Sequence, residues 1–471
     1  MTRRHFGLLA ASVALVGMAL STAQVRGQTS TSSTSTSTST TAGSQMAGIE
    51  IDARGVLTVR RYTDPGLKTL YRRIAEARST LPRAVCRASA LRKISLNRLE
   101  TAVKACLDRG EKPGEEIRYL AGLTRLRYVF YYPDTKDIVL AGPAEGWMTD
   151  LSGRVRGVET WAPVIELQDL VVALRAFPPG GKETPLISCS IDPTPQGLAN
   201  LQAFLRSLGS RAVPGQTQFI VNGLRQSLGL QVVTIKGIPA STHYAQVLVE
   251  ADYRMKLIGI GLERPRIRLA SYVDLAQPGR VSQNALQRWW FVPNYDCVRV
   301  SEDKLGMELV GDGVKLVGAD ELVTRDGARV ASAHVDPAGK RFVEGFTAKY
   351  AQLAAVTPVY AQLRNLIDLA VAAAFIQEQD YYGKAGWSMS VLGEETKFPV
   401  HTAAAPQQVE SAVASVWRGN RLMTPIGGGV RIEPKQALDP DKMLADDQSK
   451  VRSQREKISL SHLAPGQWWW D

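Results

Sequence analysis

The chain has 471 residues, of which 44% are hydrophobic, which is enough for a buried core and about two or three domains of ordinary size. Its 57 lysines and arginines against 45 aspartates and glutamates give a formal charge of +12, which favours acidic partners. The basic residues form no run of five, and the sequence contains no zinc-finger spacing and no basic-aromatic RNA motif. Composition and motifs therefore argue against nucleic acid as a partner.

Residues 1–23 have the layout of an export signal. A basic start is followed by an apolar stretch at residues 6–20 and by small residues at 21–23. The apolar stretch is too short to cross a bilayer as a helix. We therefore expect cleavage after Ala23 and an exported mature chain that is periplasmic, attached to the cell envelope or extracellular. Two adjacent arginines near the start leave both general and twin-arginine export open.

Residues 24–47 are predicted to form a disordered linker. Serine and threonine occupy every position from 29 to 41. Such a tract cannot bury apolar surface, so nothing offsets the entropic cost of ordering its backbone.

Residues 48–112 are predicted to form a small hairpin followed by a helical region. Apolar residues alternate on both sides of a turn at residues 52–55. Helical spacing then begins near residue 67, and a second helix is expected from the cap Ser95 to the stop signal Gly110. The two helices would make an N-terminal helical hairpin.

This hairpin leads to a prediction about the four cysteines. Cys86 precedes the second predicted helix and Cys106 lies near its end. Export permits disulfides, so an antiparallel helix pair predicts a Cys86–Cys106 bond. Cys189 and Cys297 could pair with each other or remain buried thiols.

Residues 113–278 are predicted to form a mixed α/β domain. A hairpin spans residues 126–141, and apolar strands at 164–167, 186–191 and 232–238 each lead into an amphipathic helix. This central strand–helix alternation predicts an α+β fold with mixed α/β layers, without defining the strand order.

The last two segments differ in character. Residues 279–433 are predicted to be β-rich and then helical, with an apolar stripe at residues 363–374 that favours a core helix. Residues 434–471 form a polar tail that ends in Trp468, Trp469 and Trp470. We expect one or two of these indoles to dock on the protein and the rest to stay loose, although insertion into a partner or a membrane interface remains the alternative. No transmembrane helix is expected in the mature chain.

No motif predicts a metal site or a cofactor. The histidines beyond the export signal are far apart, without paired ligand spacing. The densest polar cluster begins at Ser241 and includes His243, Glu250 and Asp252 on one predicted helix. Ligands often bind where a strand leads into a helix, so these three are weak catalytic candidates. The alternative is a capped polar helix face with no catalytic role.

Three segments carry a family resemblance. Residues 126–147 include Tyr-Val-Phe-Tyr-Tyr-Pro-Asp-Thr, residues 190–193 read Ser-Ile-Asp-Pro, and residues 249–262 include Val-Glu-Ala-Asp-Tyr-Arg-Met-Lys. Together they resemble a family of exported planctomycete proteins classed as a domain of unknown function. The resemblance spans roughly residues 48–380, and because the family has no established activity it implies no residue roles.

Two hypotheses about function follow. The first is a non-enzymatic envelope binding or structural protein, whose partner would be an anionic envelope polymer or another envelope protein. The second is an exported hydrolase with a site near the strand-to-helix junction at residues 237–256, since catalytic sites can assemble from scattered residues. A periplasmic ligand-binding module is a third alternative. A pocket lined by His243, Glu250 or Asp252 would favour an enzyme or ligand site, and a broad basic or apolar patch would favour the first hypothesis.

Overall fold

The computed structural model describes residues 44–208, 214–276, 285–323, 329–331, 336–413, 416–418, 421–423 and 428–471. The predicted export signal and residues 24–43 of the predicted linker lie outside these ranges. The first strand begins at Ser44, inside the predicted linker. The described residues combine helices and sheets, so the predicted α+β class is confirmed.

The helices differ widely in length. Their bounds are α1 (Lys68–Thr80), α2 (Arg83–Cys86), α3 (Leu96–Asp108), α4 (Glu115–Arg118), α5 (Leu167–Ala176), α6 (Pro195–Leu208), α7 (Thr217–Leu228), α8 (His243–Gly259), α9 (Tyr272–Leu275), α10 (Pro337–Ala348), α11 (Tyr350–Val356), α12 (Pro358–Glu378), α13 (Tyr381–Ala385) and α14 (Lys450–Glu456).

The strands are mostly short. Their bounds are β1 (Ser44–Ile51), β2 (Val56–Asp64), β3 (Ser89–Ser95), β4 (Tyr128–Tyr132), β5 (Asp137–Ala144), β6 (Trp147–Thr149), β7 (Val155–Gly157), β8 (Ile187–Asp192), β9 (Leu230–Lys236), β10 (Ala285–Pro293), β11 (Val298–Val300), β12 (Gly306–Leu309), β13 (Val314–Val323), β14 (Arg329–Ala331), β15 (Gln408–Glu410), β16 (Val416–Arg418), β17 (Arg421–Met423), β18 (Gly428–Ile432) and β19 (Trp469–Trp470).

Two large sheets organise the described residues. The nine-stranded sheet has the order β1-β2-β15-β9-β8-β18-β10-β13-β14, and the six-stranded sheet has the order β11-β12-β4-β5-β3-β19. Each sheet takes strands from several of the segments defined in the sequence, and all described residues belong to one compact unit. The predicted hairpins β1–β2 and β4–β5 are both antiparallel pairs.

The predicted N-terminal helical hairpin is wrong. Strand β3 separates α1 and α2 from α3, and it lies between β5 and β19 in the six-stranded sheet. Ser95 does cap α3, since its side chain accepts a hydrogen bond from the backbone N–H of Arg98. The helix start was therefore correctly placed, but the segment before it is a strand.

The predicted Cys86–Cys106 disulfide depended on this helical hairpin, which the described residues do not form. The Sγ atom of Cys86 lies 3.8 Å from the carbonyl oxygen of Leu81, and that of Cys106 lies 3.5 Å from the guanidinium of Arg109. All four cysteines are free thiols, so this prediction is wrong. Cys189 and Cys297 are both buried.

Helix α12 lies at the centre of the core. It is long and apolar enough to cross a membrane by length and composition alone, but 94% of its most apolar window is buried inside the protein. It packs against α5 and α8, and the predicted stripe, including Leu363 and Ile367, is buried. The interpretation of this stripe as core is confirmed.

The C-terminal indoles dock on the protein as expected, but all three do so, where only one or two were predicted to. Trp468 is 6% exposed, and Trp469 and Trp470 form β19, which pairs antiparallel with β3. The indole N–H of Trp469 donates to Glu116 at 2.6 Å. Side chains alternate between the two faces of a strand. Because β19 pairs with β3, its two adjacent indoles point in opposite directions and are still both partly covered.

Candidate functional site

Helix α8 carries all three catalytic candidates. Thr242 caps it by accepting a hydrogen bond from the N–H of Ala245 at 3.2 Å. The helix packs against β8, β10 and β18 and also against α5 and α12. Its charged residues are consequently buried between layers, and a solvated polar face is not what the structure shows.

His243 sits at the first turn of α8 between two carboxylates. Its Nδ1 lies 2.8 Å from Asp169 Oδ2, and its Nε2 lies 3.8 Å from Glu166 Oε1. Burial alone would lower the pKa of His243, but the two negative charges outweigh it and raise that pKa to about 10. Burial raises the pKa of Asp169. His243 is thus an imidazolium at neutral pH, which suits it to joining α8 to α5 and does not suit a general base.

We expect the stabilising effect of His243 to depend on pH. Because its pKa is raised from 6.5 to about 10 on folding, the contribution is fully present below pH 6.5 and is lost as the pH rises through 10. The free energy of unfolding of His243→Gln should therefore fall short of the wild-type value by on the order of 2–4 kcal/mol near pH 6, and the gap should close towards pH 10. Urea denaturation across this range measures it, with exposed His401→Gln as the control. A gap that stays constant with pH would contradict the charged state assigned to His243.

Glu250 belongs to a buried arginine–glutamate network. Its carboxylate, 2% exposed, accepts from the guanidinium of Arg154 and lies 3.2 Å from Arg254 Nη1. The same guanidinium of Arg254 reaches Glu263 Oε1 at 2.6 Å. Both carboxylate oxygens of Glu250 are therefore engaged by cations, and Arg254 is held rigidly between two acids.

Asp252 and Lys256 form an ion pair at the four-residue spacing that places two side chains on the same helix face. Their charged atoms are 3.2 Å apart, and the ammonium of Lys256 donates to the carbonyl of Ile191 at 2.9 Å. Burial raises the pKa of Asp252 to about 6 and lowers the pKa of Lys256. Gly428 covers the pair, since a Cβ there would lie 2.7 Å from Asp252 Oδ1 and 2.5 Å from Lys256 Cε. The strand β18 thus seals this pair from solvent.

The three candidates do not share a site. His243 faces α5, Glu250 faces Arg154 and Arg254, and Asp252 faces Lys256 beneath β18. Among the described residues, none of the three lines the cavities considered next. Asp169 and Arg154 lie 74 and 96 residues away from His243 and Glu250, so the spacing within α8 could not indicate these two partners.

Next to Arg254 the structure has a basic depression, here called the arginine cleft. It consists of two adjoining cavities of about 350 and 310 Å³ that share Met46, Ala47, Arg254 and Thr357 in their walls. The charged residues of its lining are Arg61, Arg156, Arg254, Arg264, Arg266, Asp150 and Glu263.

The two acids of the arginine cleft are already engaged. Asp150 lies 3.6 Å from Arg156, and Glu263 holds Arg254. Arg61 and Arg264 are exposed, and in the described part of the chain neither forms an ion pair. The cleft therefore has a formal excess of positive charge, and the guanidinium groups of Arg61 and Arg264 are available to an anion.

The sequence carries a signal for part of this site. Residues 264–268 read Arg-Pro-Arg-Ile-Arg, and all three arginines are exposed while Pro265 and Ile267 are partly covered. Exposed and partly covered side chains therefore alternate along this segment. A search for a run of five basic residues misses this pattern, and Arg61 and Arg156 come from distant segments.

A third cavity of about 270 Å³ lies at the predicted strand-to-helix junction. Its walls include Gly237 and Pro239 together with Arg175, Glu395 and His401. Arg175 pairs with Glu395, whose carboxylate also accepts from the backbone N–H of His401 at 3.0 Å. Over the described ranges, no group of three or more His, Cys, Asp or Glu side chains is arranged to hold a metal ion.

Comparison with known proteins gives one match. Residues 189–272 match a family model described as protein of unknown function (DUF1598). This segment runs from β8 to the start of α9 and includes Arg254, Arg264 and Arg266 of the arginine cleft. The resemblance to a domain of unknown function is confirmed there, while its exported and planctomycete aspects stay predictions. No curated protein and no solved structure matches the chain.

Proposed function

We propose that this protein is an exported, non-enzymatic binding protein of the cell envelope and that its arginine cleft binds an anionic envelope polymer. The observation that carries the proposal is the cleft lining, in which five arginines face two acids that are both engaged by arginines. Cleavage after Ala23 would remove Arg3 and Arg4 and lower the formal charge from +12 to +10, and this remaining positive charge acts in the same direction, because a positive field raises the local concentration of an anionic partner.

A polymer fits this surface better than a single small anion. The cleft has two adjoining cavities, and the exposed side chain of Arg268 lies four residues from Arg264 of the cleft lining, outside the cavity walls. A linear polyanion can engage such a series of guanidinium groups at once, and each additional contact strengthens binding through a high effective concentration.

The buried network beneath the cleft supports a binding role. Arg254 lines both cavities, while Glu250 and Glu263 fix its guanidinium from the protein interior. A cation held in place by buried partners loses little conformational entropy when an anion binds. Glu250 on α8 and Glu263 after it thus serve to position Arg254, and this role requires no catalysis.

The double substitution Arg61→Gln with Arg264→Gln is expected to weaken binding of dextran sulfate by about tenfold, because two guanidinium contacts are removed. Titration calorimetry at low and high salt measures this, and wild-type affinity should fall with salt. The matched control is Arg206→Gln with Arg225→Gln, two exposed arginines on α6 and α7 that do not line the cleft.

The control separates the cleft from general charge. An equal loss in both double variants would mean that net charge alone attracts the polymer, and absence of binding by the wild type would overturn the proposal. Binding to another envelope protein, with no polyanion binding, would point to the other partner class.

The alternative is an exported hydrolase, with a site near residues 237–256. The third cavity at Gly237 and Pro239 favours it, because it lies at that junction and contains His401 and Glu395. Its lining does not include His243, Glu250 or Asp252. Turnover of an envelope polymer by the wild type that is lost in His401→Gln would support the hydrolase over the binding protein.

A further inference from the structure

We infer that the polymer taken by the arginine cleft is an acidic polysaccharide, whose carboxylate or sulfate groups contact the arginines while the C–H faces of its sugar rings pack on Trp161, Leu262 and Val356. This inference rests on the proposed function and adds the chemical class of the ligand. It draws on features of the cleft other than its charge.

The first feature is the backbone conformation of Trp161 and the hydrogen bonds that maintain it. This residue lines the second cavity and has a φ of +64°, a conformation that bulky side chains rarely adopt. Its carbonyl accepts from Arg156 Nε at 2.7 Å, and the buried carboxylate of Glu145 accepts from the N–H of Glu159 at 2.6 Å and from Thr160. The surrounding turn thus maintains the strained backbone, a situation that is common at ligand sites.

At Trp161 the cleft presents an aromatic ring next to a positive charge. The guanidinium of Arg156 lies 5.7 Å from the centre of the indole ring. A sugar acid has the complementary arrangement, since its C–H groups pack on an aromatic ring and its anionic group reaches a neighbouring cation.

The second feature is exposed apolar surface within the cleft. Leu262 and Val356 line the first cavity and are 38% and 39% exposed, among few large hydrophobic side chains that are this accessible in the described residues. Exposed apolar side chains next to exposed arginines fit a ligand that has apolar and anionic faces on every repeating unit. Polyphosphate has no apolar face, and an acidic polypeptide has no flat rigid ring.

The third feature is the pair of adjoining cavities. Volumes of about 350 and 310 Å³ are each at the size of small-ligand sites, and both are bounded by Arg254 and Arg266. Two such cavities with shared walls fit successive sugar units of one chain better than one compact ligand.

The test removes the apolar contacts and keeps the charges. Leu262→Ser with Val356→Ser is expected to weaken binding of oligogalacturonate and of dextran sulfate by about fivefold and to leave polyphosphate binding unchanged. The matched control is Leu230→Ser with Val232→Ser, a leucine and a valine that are 36% and 39% exposed on β9, outside the cleft. These exposed positions are preferred to Trp161, which also packs on a buried cluster and could unfold the turn when replaced.

The outcomes separate this inference from the proposed function. If no polyanion binds, or if the Arg61 and Arg264 double variant binds like the wild type, the proposed function fails. If polyphosphate or polyglutamate binds as tightly as the polysaccharides and the Leu262 and Val356 double variant weakens none of them, only the polysaccharide inference fails. Preferred binding to single-stranded DNA or to anionic phospholipid vesicles would also overturn it.

Discussion

Replacement of Glu250 by alanine is expected to lower the free energy of unfolding by about 3–5 kcal/mol. Glu250 is 2% exposed and lies between the guanidinium groups of Arg154 and Arg254, whose side chains are also less than a tenth exposed. Removing the carboxylate leaves Arg154 with neutral acceptors and Arg254 with Glu263 alone. Arg154 would then be a buried cation without an acidic partner among the described residues. Urea denaturation at neutral pH, followed by circular dichroism, measures the loss.

A surface glutamate in a similar helical pair provides the comparison. Glu76 lies 3.7 Å from Arg72, four residues apart on α1, and its side chain is 62% exposed. Glu76→Ala should change stability by less than about 1 kcal/mol, because an exposed ion pair is screened by water. Glu250→Gln should fall between the two, since it keeps the shape and one acceptor but loses the charge. If Glu250→Ala is no worse than Glu76→Ala, the buried network does not hold α8 in place.

The length and start of α8 could be predicted from sequence, but its environment could not. The cap Thr242 and the four-residue spacing of Asp252 and Lys256 are local signals, and both are correct. Burial of the acids depends on partners such as Arg154 and Asp169, which lie 96 and 74 residues away from the residues that they contact. From the sequence alone, a charged helix face is expected to be exposed to solvent. Its burial can be predicted only if oppositely charged residues from distant segments are known to contact it.

Strand β3 is a second element whose environment could not be predicted from the local sequence. Residues 89–95 include Arg92 and Lys93, so the segment is polar in sequence and lies within the predicted helical region. In the structure Arg92 is fully buried, because backbone carbonyls and a distant carboxylate surround its guanidinium. The disulfide prediction failed as a consequence, since it required Cys86 and Cys106 to lie on neighbouring helices.

The arginine cleft could be predicted only in part. The alternation of arginines at residues 264–268 is readable in the sequence, and it lies within the segment that matches the family model. Arg61 on β2 and Arg156 on β7 reach the same cleft only through the tertiary fold. Local patterns therefore indicate part of a binding surface, whereas its depth and composition depend on packing of distant elements.

The substitution Arg92→Lys is expected to lower the free energy of unfolding by about 4 kcal/mol, nearly as much as Arg92→Ala. The guanidinium binds both carboxylate oxygens of Asp471, at 2.9 and 3.0 Å, and lies 4.6 Å from the ring centre of Trp469. It also donates to the backbone carbonyls of Ala84, Val85, Arg87 and Ala121.

A lysine cannot replace these contacts, because an ammonium has three donors at a single point and cannot match a planar, bidentate acceptor. Several buried carbonyls would lose their donor, and β19 would lose its ionic attachment to β3. Arg98→Lys is the matched control: Arg98 also binds one aspartate, Asp137, but is 31% exposed, so water can replace the lost contacts and the cost should be about 1 kcal/mol or less. Thermal and urea unfolding of both variants measures the difference. Equal, small losses in the two lysine variants would show that the fork geometry of Arg92 contributes little and that the C-terminal strand is held by its indoles alone.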